Sequence, residues 1–209
     1  MLPYIAFIAV LLAMIITYDK AILHISLNKF HTGVSDVFFK YFTYAGNGVM
    51  IAFAVVILLF INYRFAVGLT IAGISTGVVI QFLKRMVFVD YHRPKYFFEN
   101  IYQSYDLYIV SGTQPALHHS FPSGHSAAAF TLYFFLALLV KNKLLIAVFF
   151  AFAALAAYSR VYLSFHFTQD ILAGSVIDVL IAYGAYLLIN KLKHAAFNDS
   201  LLKLITKNS

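Results

Sequence analysis

Six stretches of this chain, roughly residues 2–18, 47–63, 66–89, 123–140, 144–163 and 168–190, are apolar over lengths close to what a membrane crossing requires. A helix needs about 20 mostly apolar residues to cross about 30 Å of hydrocarbon, where no water can satisfy a free backbone amide. The pattern predicts an all-α polytopic membrane protein with six transmembrane helices. A soluble reading fails on composition, because 62% of the residues are hydrophobic and only 11% are charged. The absence of tryptophan leaves an interfacial aromatic belt to the 15 tyrosines.

The run from Leu2 to Thr17 is apolar from its first residue. With no basic region ahead of it and no clear small-residue cleavage site, it reads as a retained first span rather than a signal peptide. From Asp19 to Gly46, Lys20, Lys29 and Lys40 stand among Ile, Leu, Val and Phe. That spacing predicts a short amphipathic helix lying in the interface, with a solvated loop making apolar contacts as the alternative. Asn62-Tyr63-Arg64 and Lys141-Asn142-Lys143 form short polar joints, while the long connection from Asp90 to Phe121 predicts a small extramembrane cap between the third and fourth spans. No repeat or composition shift divides the chain, so residues 1–209 read as one membrane-embedded domain with 191–209 as a cytoplasmic tail. Gly73 and Gly77 read as a small-residue pair for close helix packing.

Counting crossings places the end of the third span, the start of the fourth, the end of the fifth and the start of the sixth on one side. Every strongly polar cluster falls there. The other side carries both termini, Arg64, Lys141, Lys143, Lys191, Lys193, Lys203 and Lys207. The positive-inside tendency then puts the termini in the cytoplasm and the polar face outside, at the periplasmic face of a bacterial inner membrane, with Lys20, Lys29 and Lys40 counting the other way. The net charge of +7 sits at helix ends rather than on a soluble basic face. The expected partner is therefore an anionic lipid and not a nucleic acid, and no obligate protein partner is indicated.

The polar face holds three clusters: Lys84-Arg85 with His92-Arg93-Pro94, then Pro122-Ser123-Gly124-His125, then Ser159-Arg160 with His166 and Asp170. Each alone has an ordinary structural reading as snorkelling cations, a helix start or an interfacial histidine. Together they place several cations around one pocket, where they repel one another unless an anion lies between them, and phosphate is the natural anion. Arg93 and Arg160 can each donate two parallel hydrogen bonds to it, and Lys84 or Arg85 adds a further charge. Ser123 and Gly124 stand where a helix begins, so backbone N–H groups and the positive end of the helix dipole face the same anion. If the sixth helix has begun by His166, Asp170 shares its face four residues on and can fix the imidazole tautomer, leaving the other nitrogen free to attack. His125 is then the acid for the departing oxygen. With no cysteine, thiolate nucleophiles and zinc–thiolate sites are excluded.

These residues resemble the type 2 phosphatidic acid phosphatase (PAP2) superfamily. Its signature is a lysine followed by Arg-Pro, then Pro-Ser-Gly-His, then Ser-Arg, five residues, His, three residues, Asp. The second and third parts match in full at Pro122–His125 and Ser159–Asp170. The first departs, because the family places six residues between lysine and arginine, and Met86 stands at that position; eight residues separate Lys84 from Arg93 and seven separate Arg85 from it. The resemblance implies a helical membrane core, a phosphohistidine on His166, hydrolysis by water, and no metal or other cofactor. It leaves the substrate open among phosphatidic acid, phosphatidylglycerol phosphate, prenyl diphosphates, sphingoid phosphates and lipid A phosphates.

Some polar residues stay outside this scheme. Asp178, inside the sixth span, is either functional or held by a packing partner. His118 and His119 hint at a metal but have no third ligand at suitable spacing, and His92 either touches substrate or fills a turn. The leading expectation is a lipid phosphatase. Transfer of the phosphate to a lipid alcohol by the same histidine is one alternative, and a non-catalytic lipid-phosphate transporter is another, although no internal repeat supports the latter.

Overall fold

A computed structural model describes residues 2–192 and 194–207; Lys193, one of the tail cations, lies outside the described residues. The elements are α1 (Leu2–Thr17), α2 (Lys20–Asn28), α3 (Gly33–Phe42), a 3-10 turn (Thr43–Gly46), α4 (Gly48–Ile61) and α5 (Tyr63–Phe82). A π turn (Leu83–Val87) extends α5, followed by α6 (Pro94–Asn100), α7 (Gly124–Leu139), α8 (Lys143–Tyr162), α9 (Thr168–Lys191), a second 3-10 turn (Ala195–Asn198) and α10 (Leu201–Lys207). Among the described residues every regular element is helical, as the hydropathy pattern predicts.

Three helical segments, Tyr63–Val87, Lys143–Tyr162 and Thr168–Lys191, are long and apolar enough to cross a membrane. A fourth crossing results if Gly33–Gly46 and Gly48–Ile61 form one span bent by 56°. The helices α1 and α7 are apolar but only 16 residues long, reaching about 24 Å at 1.5 Å per residue. The chain is thus an integral membrane protein, with fewer full-length spans than the six apolar stretches imply.

The region expected to hold one amphipathic helix holds two. Asp19 Oδ1 accepts from the Ala21 amide (2.8 Å) and starts α2, and Thr32 Oγ1 accepts from the Ser35 amide (3.1 Å) and starts α3. Two caps in one stretch break it into two helices. The joint before the third span shrinks to Asn62 alone, whose side chain caps α5 by accepting from the Arg64 amide at 2.9 Å. At that end of the molecule Arg64 also donates to the Ile189 carbonyl (3.0 Å) and to Asn198 (2.9 Å), which seats the tail.

Helix α7 lies at the centre, packed against α5, α8 and α9. Its run Ser126-Ala127-Ala128-Ala129 keeps that contact close. Two glycines bring backbone against its N-terminal end: a Cβ on Gly174 of α9 would stand 2.8 Å from the Ser123 carbonyl oxygen, and one on Gly46 would stand 2.8 Å from that of His125. The Ser123 amide also donates to the Asp170 carbonyl at 2.9 Å, so the starts of α7 and α9 are tied together. Gly77, by contrast, has open space where a Cβ would be, so it does not mark a tight helix contact.

Candidate active site

The end of α5, the starts of α7 and α9, and the end of α8 meet at one end of the bundle. There Lys84, Arg93, Gly124, His125, Arg160 and His166 line one cavity of about 330 Å³. Residues 90–121 contribute Arg93 from the turn before α6. Two backbone bonds hold the arms of this connection together, Arg93 amide to Leu117 carbonyl and Ser120 amide to Tyr91 carbonyl, both 2.9 Å.

His166 is 1% exposed and stands in the turn between α8 and α9, two residues before α9 begins. The shared helical face expected for His166 and Asp170 is therefore not what brings them together. Asp170 occupies the first turn of α9, where its Oδ2 accepts from the Phe167 amide at 2.9 Å, a capping contact that turns the carboxylate back toward the loop. His166 Nδ1 lies 3.4 Å from that same Oδ2. A carboxylate accepts and a guanidinium donates, and Arg93 Nη1 lies 3.4 Å from Nε2 on the other side of the ring. Both neighbours select the tautomer protonated on Nδ1, with the Nε2 lone pair facing the cavity cations.

The three cations are held by uncharged partners. Lys84 Nζ donates to the His119 carbonyl (3.2 Å), and Arg93 donates from Nε to the His118 carbonyl (2.9 Å) and from Nη1 to that of Phe165 (3.2 Å). Arg160, 6% exposed, donates from Nη1 to Thr43 Oγ1 at 2.7 Å and lies 4.2 Å above the Phe165 ring, while its Nε has no partner. Among the described residues none of the three forms an ion pair with a carboxylate. Unpaired buried cations are costly, and an anion between them relieves both the desolvation and the mutual repulsion. Burial lowers the His166 pKa well below the ordinary histidine value, and the charges of Arg93, Arg160 and Lys84 lower it further. At neutral pH its imidazole is uncharged and its lone pair available. Burial also lowers the Arg93 pKa, with Asp170 opposing, but a guanidinium stays protonated.

Other candidates are placed differently. Arg85, the alternative to Lys84, is exposed and does not line the cavity. A π turn takes up one of the two extra residues in this spacing: the Phe88 amide bonds the Leu83 carbonyl five residues back, at 2.8 Å, in the turn that carries buried Lys84. Ser123 is buried outside the lining, and its hydroxyl oxygen accepts from the Ser126 hydroxyl at 2.9 Å. Asp178 accepts from Thr76 (2.6 Å) and Thr131 (3.3 Å), joining α5, α7 and α9. His92 and His118 meet at 3.2 Å through their Nδ1 atoms; among the described residues no group of three or more His, Asp or Glu side chains is placed to hold a metal ion.

Two hydroxyls escaped the sequence reading. Ser120 donates to Asp170 Oδ2 and lies 3.4 Å from His166 Nδ1, so it steadies the dyad from the connection before α7. Thr43 anchors Arg160 from a turn more than 100 residues away in sequence. No spacing rule marks either one.

A cavity of unpaired cations around an uncharged, carboxylate-oriented imidazole, set in apolar helices, defines a membrane phosphatase. Residues 62–194 match the family model of the PAP2 superfamily, and the chain belongs to that family. No curated protein matches it at the sequence level. Among solved structures, that of Aquifex aeolicus LpxE superposes with a TM-score of 0.67 at 25% identity, covering 83% of this chain and 98% of that one. A transmembrane PAP2 type phosphatidylglycerolphosphate phosphatase from Bacillus subtilis superposes at 0.65 with 21% identity, covering 92% and 96%. At 21% identity the second likeness concerns the fold alone.

Proposed function

We propose that the protein removes phosphate from a lipid phosphomonoester or diphosphate through a phosphohistidine on His166 Nε2. The observation that carries this reading is the convergence of Lys84, Arg93, Arg160, His125 and His166 on one cavity. The Nε2 lone pair attacks phosphorus as the bond to the lipid oxygen breaks, and His125, protonated, gives its proton to that oxygen. The incoming phosphate dianion favours the protonated form of His125. Phosphorylated His166 carries a positive charge that the Asp170 carboxylate offsets through Nδ1–H. Water then attacks phosphorus, passes a proton to His125, and the P–N bond breaks to release inorganic phosphate. Lys84, Arg93 and Arg160 meet the charge on the equatorial oxygens in both steps.

A lipid substrate is supported by what adjoins the cavity. Gly48, Ile51 and Gly73 line both it and a second, apolar groove of about 340 Å³ between α4 and α5. A phosphate among the cations thus has room for a hydrocarbon chain directly beside it. The chain is a single domain of six crossings in this reading, with α1 and α7 as short spans, residues 90–121 capping the site, and the tail cytoplasmic. The site then faces the periplasmic side of a bacterial inner membrane. Purified protein should release inorganic phosphate from detergent-dispersed lipid phosphates; silence toward phosphatidic acid, phosphatidylglycerol phosphate, prenyl diphosphate, a sphingoid phosphate and lipid A phosphate alike would end the proposal.

The two candidate ligands of the first cluster separate by mutation. Lys84→Met removes a buried charge from the cavity and should lower kcat/KM about 10–100-fold, the worth of a charge-assisted hydrogen bond or two. Arg85→Ala, at an exposed site, should stay within about twofold. Steady-state kinetics on one lipid phosphate compares them, and a larger loss for Arg85 would reverse the assignment.

A further inference from the structure

Helix α2 belongs to none of the polar clusters, yet three of its side chains reach the turn that carries His166. Asn28 is fully buried, and its Nδ2 donates to the Val161 carbonyl (3.1 Å) and the Tyr162 carbonyl (2.7 Å). These are among the last carbonyls of α8, which a helix end leaves without an internal partner. His24 Nε2 lies 3.4 Å from Ser164 Oγ, and Lys20 Nζ sits 3.9 Å over the Phe167 ring. Burial and the Lys20 charge push the His24 imidazole down to about 3, so it is neutral at physiological pH and its contact does not switch there.

The turn itself is strained and tightly coupled to the site. Ser164 has φ of +54°, a left-handed conformation that a non-glycine residue keeps only where its surroundings impose it. The Phe165 and His166 amides both donate to the Arg160 carbonyl, at 2.9 and 3.1 Å, so a phosphate ligand and the nucleophile share one hydrogen-bonded unit. From outside, the Asn28 amide bonds the backbone of the two residues that directly follow Arg160, beside the side-chain contacts of Thr43 with Arg160 and of Arg93 with the Phe165 carbonyl.

We infer that Asn28 is a positioning residue: its amide holds the end of α8 and the following turn so that His166 Nε2 lies in line with the phosphorus. This rests on the phosphohistidine reading above. In-line attack tolerates little displacement, and a shift of about 1 Å costs on the order of 100-fold in rate. Binding of the phosphate charge is less demanding, because Lys84 and the Nε of Arg93 are held by the carbonyls of His119 and His118 and the Arg160 guanidinium by Thr43, all outside this turn, and a charge contact tolerates more displacement than in-line attack.

The test compares Asn28→Ala and Asn28→Asp with the wild type, reading kcat, KM and the inhibition constants for inorganic phosphate and vanadate. The aspartate matches asparagine in shape but offers oxygens where two carbonyls need donors. Vanadate mimics the five-coordinate transition state and needs the histidine nitrogen in line, whereas phosphate needs the cations. Both variants should lose at least about tenfold in kcat and in vanadate affinity, with KM and phosphate affinity within about twofold. Asn28→Gln, which returns an amide one methylene too far out, should recover part of the loss. Should Asn28→Asp fail to accumulate in the membrane, Asn28→Ser, with a single shorter donor, replaces it in the same comparison. Wild-type kcat in the variants overturns the inference, and so does equal weakening of phosphate and vanadate, the signature of a merely structural role. A wild-type enzyme that hydrolyses lipid phosphates but is insensitive to vanadate and yields no phosphoenzyme overturns instead the reading on which it rests.

Discussion

Replacing His166 with alanine should lower turnover on any lipid phosphate by at least about 10⁴-fold, the scale on which loss of a covalent nucleophile is felt. The size follows from the absence of a substitute: the cavity lining otherwise offers the cations, the amides of Asn47 and Gln81, the Thr76 hydroxyl and His125, and none of these is an imidazole paired with a carboxylate. The variant should still fold, since the turn is held by backbone bonds from the Phe165 and His166 amides to Arg160 that the substitution leaves in place. It should also still bind inorganic phosphate, because Lys84, Arg93 and Arg160 remain. Rapid quenching of the wild type with radiolabelled substrate should trap a protein-bound phosphate that is labile in acid and stable in alkali, as expected of a phosphoramidate; His166→Ala should trap none. Turnover within tenfold of the wild type would remove the nucleophile from the mechanism, whatever becomes of the binding site.

The chemistry of this chain is more legible in its sequence than its architecture. Arg93, Arg160, His125 and His166 stand out because cations and imidazoles are rare in apolar surroundings, so a few polar positions limit where phosphate chemistry can occur. Helix lengths are harder to read. Hydropathy cannot see that Asn62 caps a new helix one residue after α4 ends, nor that Asp19 and Thr32 each start a helix within what reads as one amphipathic stretch. A four-residue helical spacing predicts the pairing of His166 with Asp170, yet the pairing arises because Asp170 folds back to cap the start of α9. Ser120 and Thr43 were invisible because a hydroxyl acquires its role from the side chain it meets. The π turn at Leu83–Val87 shows the opposite case: part of an irregular motif spacing in the sequence has a local structural cause.

His125 lies at the junction of two cavities, the cationic one and a second of about 270 Å³ that it and Arg160 also line. That placement suits a group that must meet a leaving oxygen and later an entering water. Replacing it with alanine should therefore affect substrates according to their leaving groups. With a lipid phosphate the departing alkoxide is strongly basic and needs the proton, so kcat should fall about 10²–10⁴-fold. With a nitrophenyl phosphate the leaving anion is stable without it, and phosphorylation of His166 should proceed nearly unimpeded. Hydrolysis of the phosphoenzyme still needs a base for the attacking water. The variant should then release one equivalent of nitrophenolate per enzyme in a burst and continue slowly, with the phosphohistidine accumulating, whereas the wild type shows no such pause. Stopped-flow absorbance reads the burst directly and quenched labelling counts the phosphoenzyme. Equal losses on both substrates with no burst would make His125 a phosphate-binding group alone, because a side chain that only contacts the equatorial oxygens is needed to the same extent whichever oxygen departs.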